Sequence, residues 1–212
     1  KLKYFVGNWK MFGDFNSFQI IKRIAFGYQK IKAINKKNKI IICIPSVLLA
    51  FFNNKLKSKS LLLGAQNCSQ HKEYGPYTGS ISATMLRKVG AKYVILGHSE
   101  NRLEGESNNL IKKKIISALD QNLNIIFCIG ETSSDKNKKK TFAVLKSQIN
   151  SSIDNKFDFK KIIIAYEPVW SIGTGKVPDS HELKKTFIFI KKLLKTKFKI
   201  KIKPLVIYGG SV

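Results

Sequence analysis

Four short segments of this 212-residue chain bring together side chains suited to proton transfer and anion binding. They are Gly7-Asn8-Trp9-Lys10, Gly97-His98-Ser99-Glu100, the stretch from Tyr166 through Glu167 and Pro168 to Gly173-Thr174-Gly175-Lys176, and Tyr208-Gly209-Gly210-Ser211. Lys10 supplies a fixed positive charge. Glu167 precedes a proline, which pushes its backbone to extended geometry and holds its carboxylate where the chain leaves a strand. Gly173 and Gly175 permit a mobile segment whose backbone N–H groups can close over an anion. Gly209-Gly210-Ser211 offers a second set of approachable N–H groups, suited to a phosphate. A carboxylate base, an imidazole and a phosphate grip together suit proton transfer beside a carbonyl on a small phosphorylated molecule.

Taken singly, each piece has a plainer reading. A histidine at a strand end is often structural, a glutamate before proline is mostly incidental, two spaced glycines usually mark a turn, and one lysine is usually a solvated charge. Their weight comes from occurring together after four separate strand-like runs of one chain.

Those runs are Tyr4-Phe5-Val6, Ile40 to Ile44, Leu61 to Leu63, Tyr93 to Leu96, Asn124 to Ile129, Ile162 to Tyr166 and Pro204 to Tyr208. They are continuously apolar rather than alternating, as expected of parallel strands covered on both faces. Between them lie helical patterns with an apolar stripe. Ile21, Ile24, Ala25, Tyr28 and Ile31 follow the capping candidates Asp14 and Asn16. Ile111, Ile115, Ala118 and Leu119 follow Ser107, and Leu183, Phe187, Ile190 and Leu194 follow Asp179. Asp179 and Glu182 are spaced like a capping box. Seven strand–helix alternations without a linker predict one α/β domain over residues 1–212, either a doubly wound open sheet or a closed (β/α)8 barrel. No GxGxxG follows the first strand, which counts against dinucleotide binding. Strands recur about every 34 residues, so eight units would need the roughly 250 residues typical of a closed barrel.

Composition is that of an ordinary globular domain, 43% apolar and 25% charged. The 39 Lys and Arg against 13 Asp and Glu give +26, and almost all the excess is lysine scattered over predicted helices and loops. Sequence-specific nucleic-acid sites usually need arginine forks, so the excess reads as solvated surface. The runs Lys138 to Lys140 and Lys191 to Lys203 are places where polyanions could adhere non-specifically. Cys43, Cys68 and Cys128 form no disulfide framework and no metal-ligand spacing; they read as reduced, buried thiols of a cytoplasmic protein. No apolar run is long enough for a membrane span.

In order and spacing, Asn8-Trp9-Lys10, Gly97-His98-Ser99-Glu100, Ala165-Tyr166-Glu167-Pro168-Val169-Trp170 with Ile172 to Lys176, and Tyr208-Gly209-Gly210-Ser211 resemble the signatures of the triosephosphate isomerase family. Gln66-Asn67 and Tyr77-Thr78-Gly79 are similar to that family's third strand and the loop after it. The resemblance implies a (β/α)8 TIM barrel. It also implies cofactor-independent, metal-free interconversion of dihydroxyacetone phosphate and glyceraldehyde 3-phosphate, a step of glycolysis and gluconeogenesis. Under it, Glu167 moves the carbon-bound proton and His98 acts as a neutral electrophile toward the carbonyl oxygen, roles that are the general worked example for this enzyme. Ser99 and Glu100 read as the start of a helical turn whose N–H groups disfavour an imidazolium at His98. Lys10 is implied as a catalytic residue that also meets substrate charge, with Asn8 and Trp9 binding substrate beside it, and the N–H groups of Gly173 and Ser211 to hold the phosphate. Glu100 is implied as a supporting residue. A homodimer is implied too, in which the loop Cys68 to Ser80 reaches the partner's site and Thr78 supports the partner's Asn8 and Lys10.

This sequence departs from the family pattern at Asn101, where arginine is more usual, and at Ser80, where an acidic residue is more usual. Members of the family continue past the Tyr208-to-Val212 segment into an eighth strand–helix unit, so the chain reads as seven strands of the barrel and as part of a longer one. On that reading the first and seventh strands are left with unpaired edges. The alternative function is an inactive or weakly active barrel fragment that binds polyanions non-specifically.

Overall fold

The computed structural model describes residues 3–30, 38–56 and 61–210. Seven strands, β1 (Lys3–Asn8), β2 (Asn38–Cys43), β3 (Leu61–Ala65), β4 (Tyr93–Leu96), β5 (Asn124–Ile129), β6 (Ile162–Tyr166) and β7 (Leu205–Tyr208), pair in chain order as one sheet. Every pairing is parallel, from Lys3 opposite Asn38 to Tyr166 opposite Tyr208. Seven parallel strands with helices between them make a nearly closed barrel. Among the described residues β1 pairs only with β2, and β7 only with β6. The edge strand is correspondingly open, with Phe5 54% exposed.

Continuous apolar runs give this sheet two cores, because successive side chains of a strand face opposite sides. Tyr4, Val6, Ile41, Cys43, Leu62, Tyr93, Ile95, Ile126, Cys128, Ile163, Ala165, Leu205 and Ile207 come from all seven strands and pack together inside. Their neighbours, such as Ile42, Val94, Leu96, Ile125, Phe127 and Ile164, form the larger core against the helices.

The helices are α1 (Phe18–Lys30), α2 (Ser46–Lys55), α3 (Ala83–Lys88), α4 (Ser99–Leu103), α5 (Asn108–Asp120), α6 (Ser133–Asn137), α7 (Thr141–Ser152) and α8 (Ser180–Lys197). Helix α1 buries Ile21, Ala25 and Tyr28 as its stripe requires; Ile31 lies outside the described residues. Asp14 accepts from the Ser17 N–H at 2.9 Å, in a turn just ahead of the helix. Ser107 caps α5 by accepting from Leu110 N at 3.2 Å. Asp179 caps α8 by accepting from His181 N and Glu182 N. The expected reciprocal half of that box is absent, since the Glu182 carboxylate turns instead to Lys136 Nζ at 3.0 Å. A distant cation offers that carboxylate more than the uncharged N–H of its own cap does. A capping box does form at α6, between Thr132 and Asp135.

Candidate active site

The residues singled out above leave the carboxyl ends of β1, β4, β6 and β7, on the face where barrels of this kind carry their chemistry. Lys10 follows β1 in the left-handed region at φ 53°, a conformation that costs a non-glycine residue about 1 kcal/mol or more. Three bonds hold it there. Its N–H donates to Asn8 Oδ1 at 3.0 Å, and its carbonyl accepts from Gln66 Nε2 at 2.7 Å. The same Gln66 nitrogen also reaches Asn8 Oδ1 at 3.2 Å. Lys10 Nζ pairs with Glu100 Oε1 at 2.5 Å. Trp9 contributes differently from its neighbours. Its ring packs edge-on against Phe52 at 5.9 Å and 82°, in the outer core, so it anchors the segment.

His98 sits at the cap of α4, and its Nδ1 accepts from the Glu100 N–H at 3.3 Å. A ring nitrogen that accepts carries no proton, so the neutral ring bears its hydrogen on Nε2. The Glu100 carboxylate, which pairs with Lys10, also lies 3.5 Å from Nδ1. His98 Nε2 lies 3.7 Å from Glu167 Oε2, too far for a hydrogen bond.

Glu167 is placed by the strand beneath it: its N–H donates to Ile129 O at 2.8 Å. Its side chain is 17% exposed, and Oε2 has no hydrogen-bond partner. Burial pushes its carboxyl up from the ordinary value, while His98, the Cys128 thiol and Lys10 draw it back down and Glu100 adds to the rise. Burial keeps Cys128 a protonated thiol, its own pKa raised further by the Glu167 charge.

The segment after Glu167 is tied down at its start and open beyond it. Val169–Ser171 form a short 3-10 turn, within which Trp170 Nε1 donates to Glu131 at 2.9 Å. Glu131 is almost fully buried and also accepts from Tyr166 OH at 3.2 Å. Gly173 and Gly175 adopt φ 68° and 71°, and residues 173–177 are exposed. Gly209 N donates to Tyr166 O at 2.9 Å, which seats the glycine pair beside Glu167. Ser211 lies outside the described residues.

A cavity of about 730 Å3 opens beside Asn8, Lys10, Gln66, His98 and Glu100, and Thr78 lines its other wall. The loop carrying Thr78 is stiffened by His71 stacked on Tyr77, 3.6 Å between ring centres. Near Asn101 the buried Glu106 pairs with Lys114, which also donates to Asn67 Oδ1 at 3.1 Å. Among the described residues no group of three or more His, Cys, Asp or Glu could hold a metal ion. No helix among them is long and apolar enough to cross a membrane.

The structure thus brings together Asn8, Lys10, His98, Glu100 and Glu167. Gln66, Glu131 and Cys128, which the sequence reading did not single out as site residues, join them. Gln66 carried a signal, standing one residue past β3; Glu131 and Cys128 are recognisable only through their spatial neighbours.

Comparison with known proteins agrees with this geometry. Residues 3–212 match the family model described as triosephosphate isomerase. A triosephosphate isomerase of Bartonella tribocorum is 38% identical, covering 99% of this chain and 82% of that protein. One from Buchnera aphidicola subsp. Schizaphis graminum is 39% identical, covering 100% and 84%. The crystal structure of triosephosphate isomerase from Bartonella henselae superposes with a TM-score of 0.88 at 36% identity, covering 99% of this chain and 83% of that one. With its signature residues assembled on the family's barrel and its described length matched almost throughout, the chain belongs to the triosephosphate isomerase family.

Proposed function

We propose that this chain, as one barrel domain, interconverts dihydroxyacetone phosphate and D-glyceraldehyde 3-phosphate through an enediolate. The observation that carries the reading is the approach of His98 Nε2 to within 3.7 Å of the buried Glu167 Oε2, which has no hydrogen-bond partner, with Lys10 close enough to act on that carboxylate. Glu167 takes the proton from the carbon next to the carbonyl and returns it to the neighbouring carbon. A carboxylate whose pKa is raised by burial is a stronger base than one in water. His98 donates its Nε2 hydrogen to the oxygen on which charge develops. Neutral imidazole serves here because its Nδ1 already accepts from the Glu100 N–H. Lys10, positioned by Asn8 and Gln66, meets the substrate's negative charge, and Trp9 steadies that segment from the core. Gly173 in the loop and Ser211 after the glycine pair offer N–H groups to the phosphate. Loop closure keeps water from the intermediate. Each step is a proton transfer within reach of these side chains, so no cofactor is called for.

The same reading makes the molecule a homodimer in which Thr78 steadies the partner's Asn8 and Lys10. Met11 (94% exposed), Phe12 (73%) and Tyr74 (62%) supply apolar surface for such contact. Three buried free cysteines suit a reducing compartment such as the cytoplasm.

The test is a coupled assay of glyceraldehyde 3-phosphate formation with native chain and Glu167→Gln. The expected loss is three decades or more in kcat, about 4 kcal/mol of barrier. Equal rates for the two proteins would overturn the assignment. A barrel that merely held polyanions on its lysines would bind them in a salt-dependent way that Glu167→Gln leaves untouched.

A further inference from the structure

The loop between β6 and α8 is held at both ends by one ammonium group. Lys136 Nζ, on α6, stands 3.8 Å from the centre of the Trp170 ring. The same atom lies 3.0 Å from Glu182 Oε2. Trp170 belongs to the 3-10 turn that opens the loop, and Glu182 to the first turn of the helix that follows it. Pro168 and the buried Pro178 bracket the segment with restricted backbone. A swing of residues 172–176 toward His98 and Glu167 must therefore be absorbed within the 3-10 turn and just ahead of Pro178. Turning the first hinge moves the indole. Glu131 holds that indole by its edge at 2.9 Å, and Lys136 covers its face.

We propose that Lys136 is a positioning residue that latches the loop open, its ammonium bridging Trp170 and Glu182 so that closure must break one contact or both. This rests on reading the loop as the lid over the substrate phosphate. The latch is modest in strength: Lys136 and Glu182 side chains are 36% and 53% exposed, and an exposed cation on an aromatic face or a carboxylate is a weak contact. It biases an equilibrium rather than forbidding closure, which suits a lid that must open at every turnover.

Inorganic phosphate is the probe, titrated by tryptophan emission and by inhibition of isomerisation. Trp9 is partly buried against the core and common to every variant, so differences between variants report Trp170 at the hinge. Lys136→Met is expected to bind phosphate about three- to tenfold more tightly than native, although it has lost a positive charge. Its free-state emission should shift part of the way toward the phosphate-bound spectrum. Lys136→Arg, which keeps both contacts, should stay within about twofold of native. Lys185→Met removes the same charge from the same shallow cavity without touching Trp170, and should not tighten binding. Unchanged or weaker phosphate affinity in Lys136→Met, with native protein still inhibited by phosphate, overturns the latch alone. A native chain that isomerises but shows no response to phosphate in either readout overturns the lid reading and the latch with it.

Discussion

Gly209 backs directly onto Glu167: a β-carbon built on the glycine would lie 2.6 Å from both Cγ and Oε1 of the carboxylate side chain. The end of β7 therefore forms the wall against which the proposed base is seated. Gly209→Ala is expected to leave the barrel folded, because the obstacle is the far end of a side chain that can swing. The swing carries the carboxylate away from His98, and a displacement near 1 Å can cost about 10²-fold in rate. Steady-state kcat beside a melting curve would check this; native turnover with alanine in place would show that Glu167 needs no such wall. Gly130→Ala makes the contrast. There the β-carbon would meet the Glu167 carbonyl oxygen at 1.9 Å, and since backbone cannot yield, loss of folded protein is expected.

Glu167 should trade stability for activity. Its carboxyl is raised by burial above its ordinary value, so the folded state holds a proton there more tightly than the unfolded chain does. The stabilisation from the protonated form is fully present below the unfolded pKa and is lost as pH rises through the folded one. Once pH has risen past the folded pKa the buried, unpartnered oxygen carries its charge at a net cost, so Glu167→Gln should there melt higher than native. The advantage should shrink as pH falls toward the unfolded carboxyl pKa, about 4.3. Paired denaturation curves at acid and neutral pH settle the sign. In the same window, native kcat/KM should fall on an acid limb lying above the ordinary glutamate value, because the base must be ionised.

Lys10→Met should cut kcat/KM by about 10- to 150-fold, the range for losing one charge-assisted hydrogen bond of roughly 1.5–3 kcal/mol to a charged group. It also frees Glu100 from its 2.5 Å partner. Steady-state kinetics of the two proteins check this, and native efficiency in Lys10→Met would place Lys10 out of the substrate's reach.

Thr78→Arg places a long cation on the exposed tip of the loop proposed to enter a partner's site. Sedimentation should report association by the native chain and monomers for the variant, with at least tenfold lower activity per chain. Full activity in a monomeric Thr78→Arg would sever the proposed link between assembly and chemistry.

Strands, capped helices and the strand ends that bear reactive groups are legible in the linear order of residues. Those are matters of local pattern. Asn124–Ile129 and Ile162–Tyr166 are strands with the bounds their apolar runs predict, and Ser107 and Asp179 cap their helices with side chains a few residues away. The signature segments also carried the family. Tertiary structure decided how the reactive groups are tuned and tethered. The burial that raises Glu167, the Glu131 anchor under Trp170, and the turning of Glu182 from its own cap to Lys136, 46 residues away, are all pairings across the fold. So is the packing of Trp9 against Phe52, which makes its ring an anchor. No local period encodes such contacts, because desolvation and charge pairing depend on which strands lie side by side, and only the closing of the sheet brings those neighbours together.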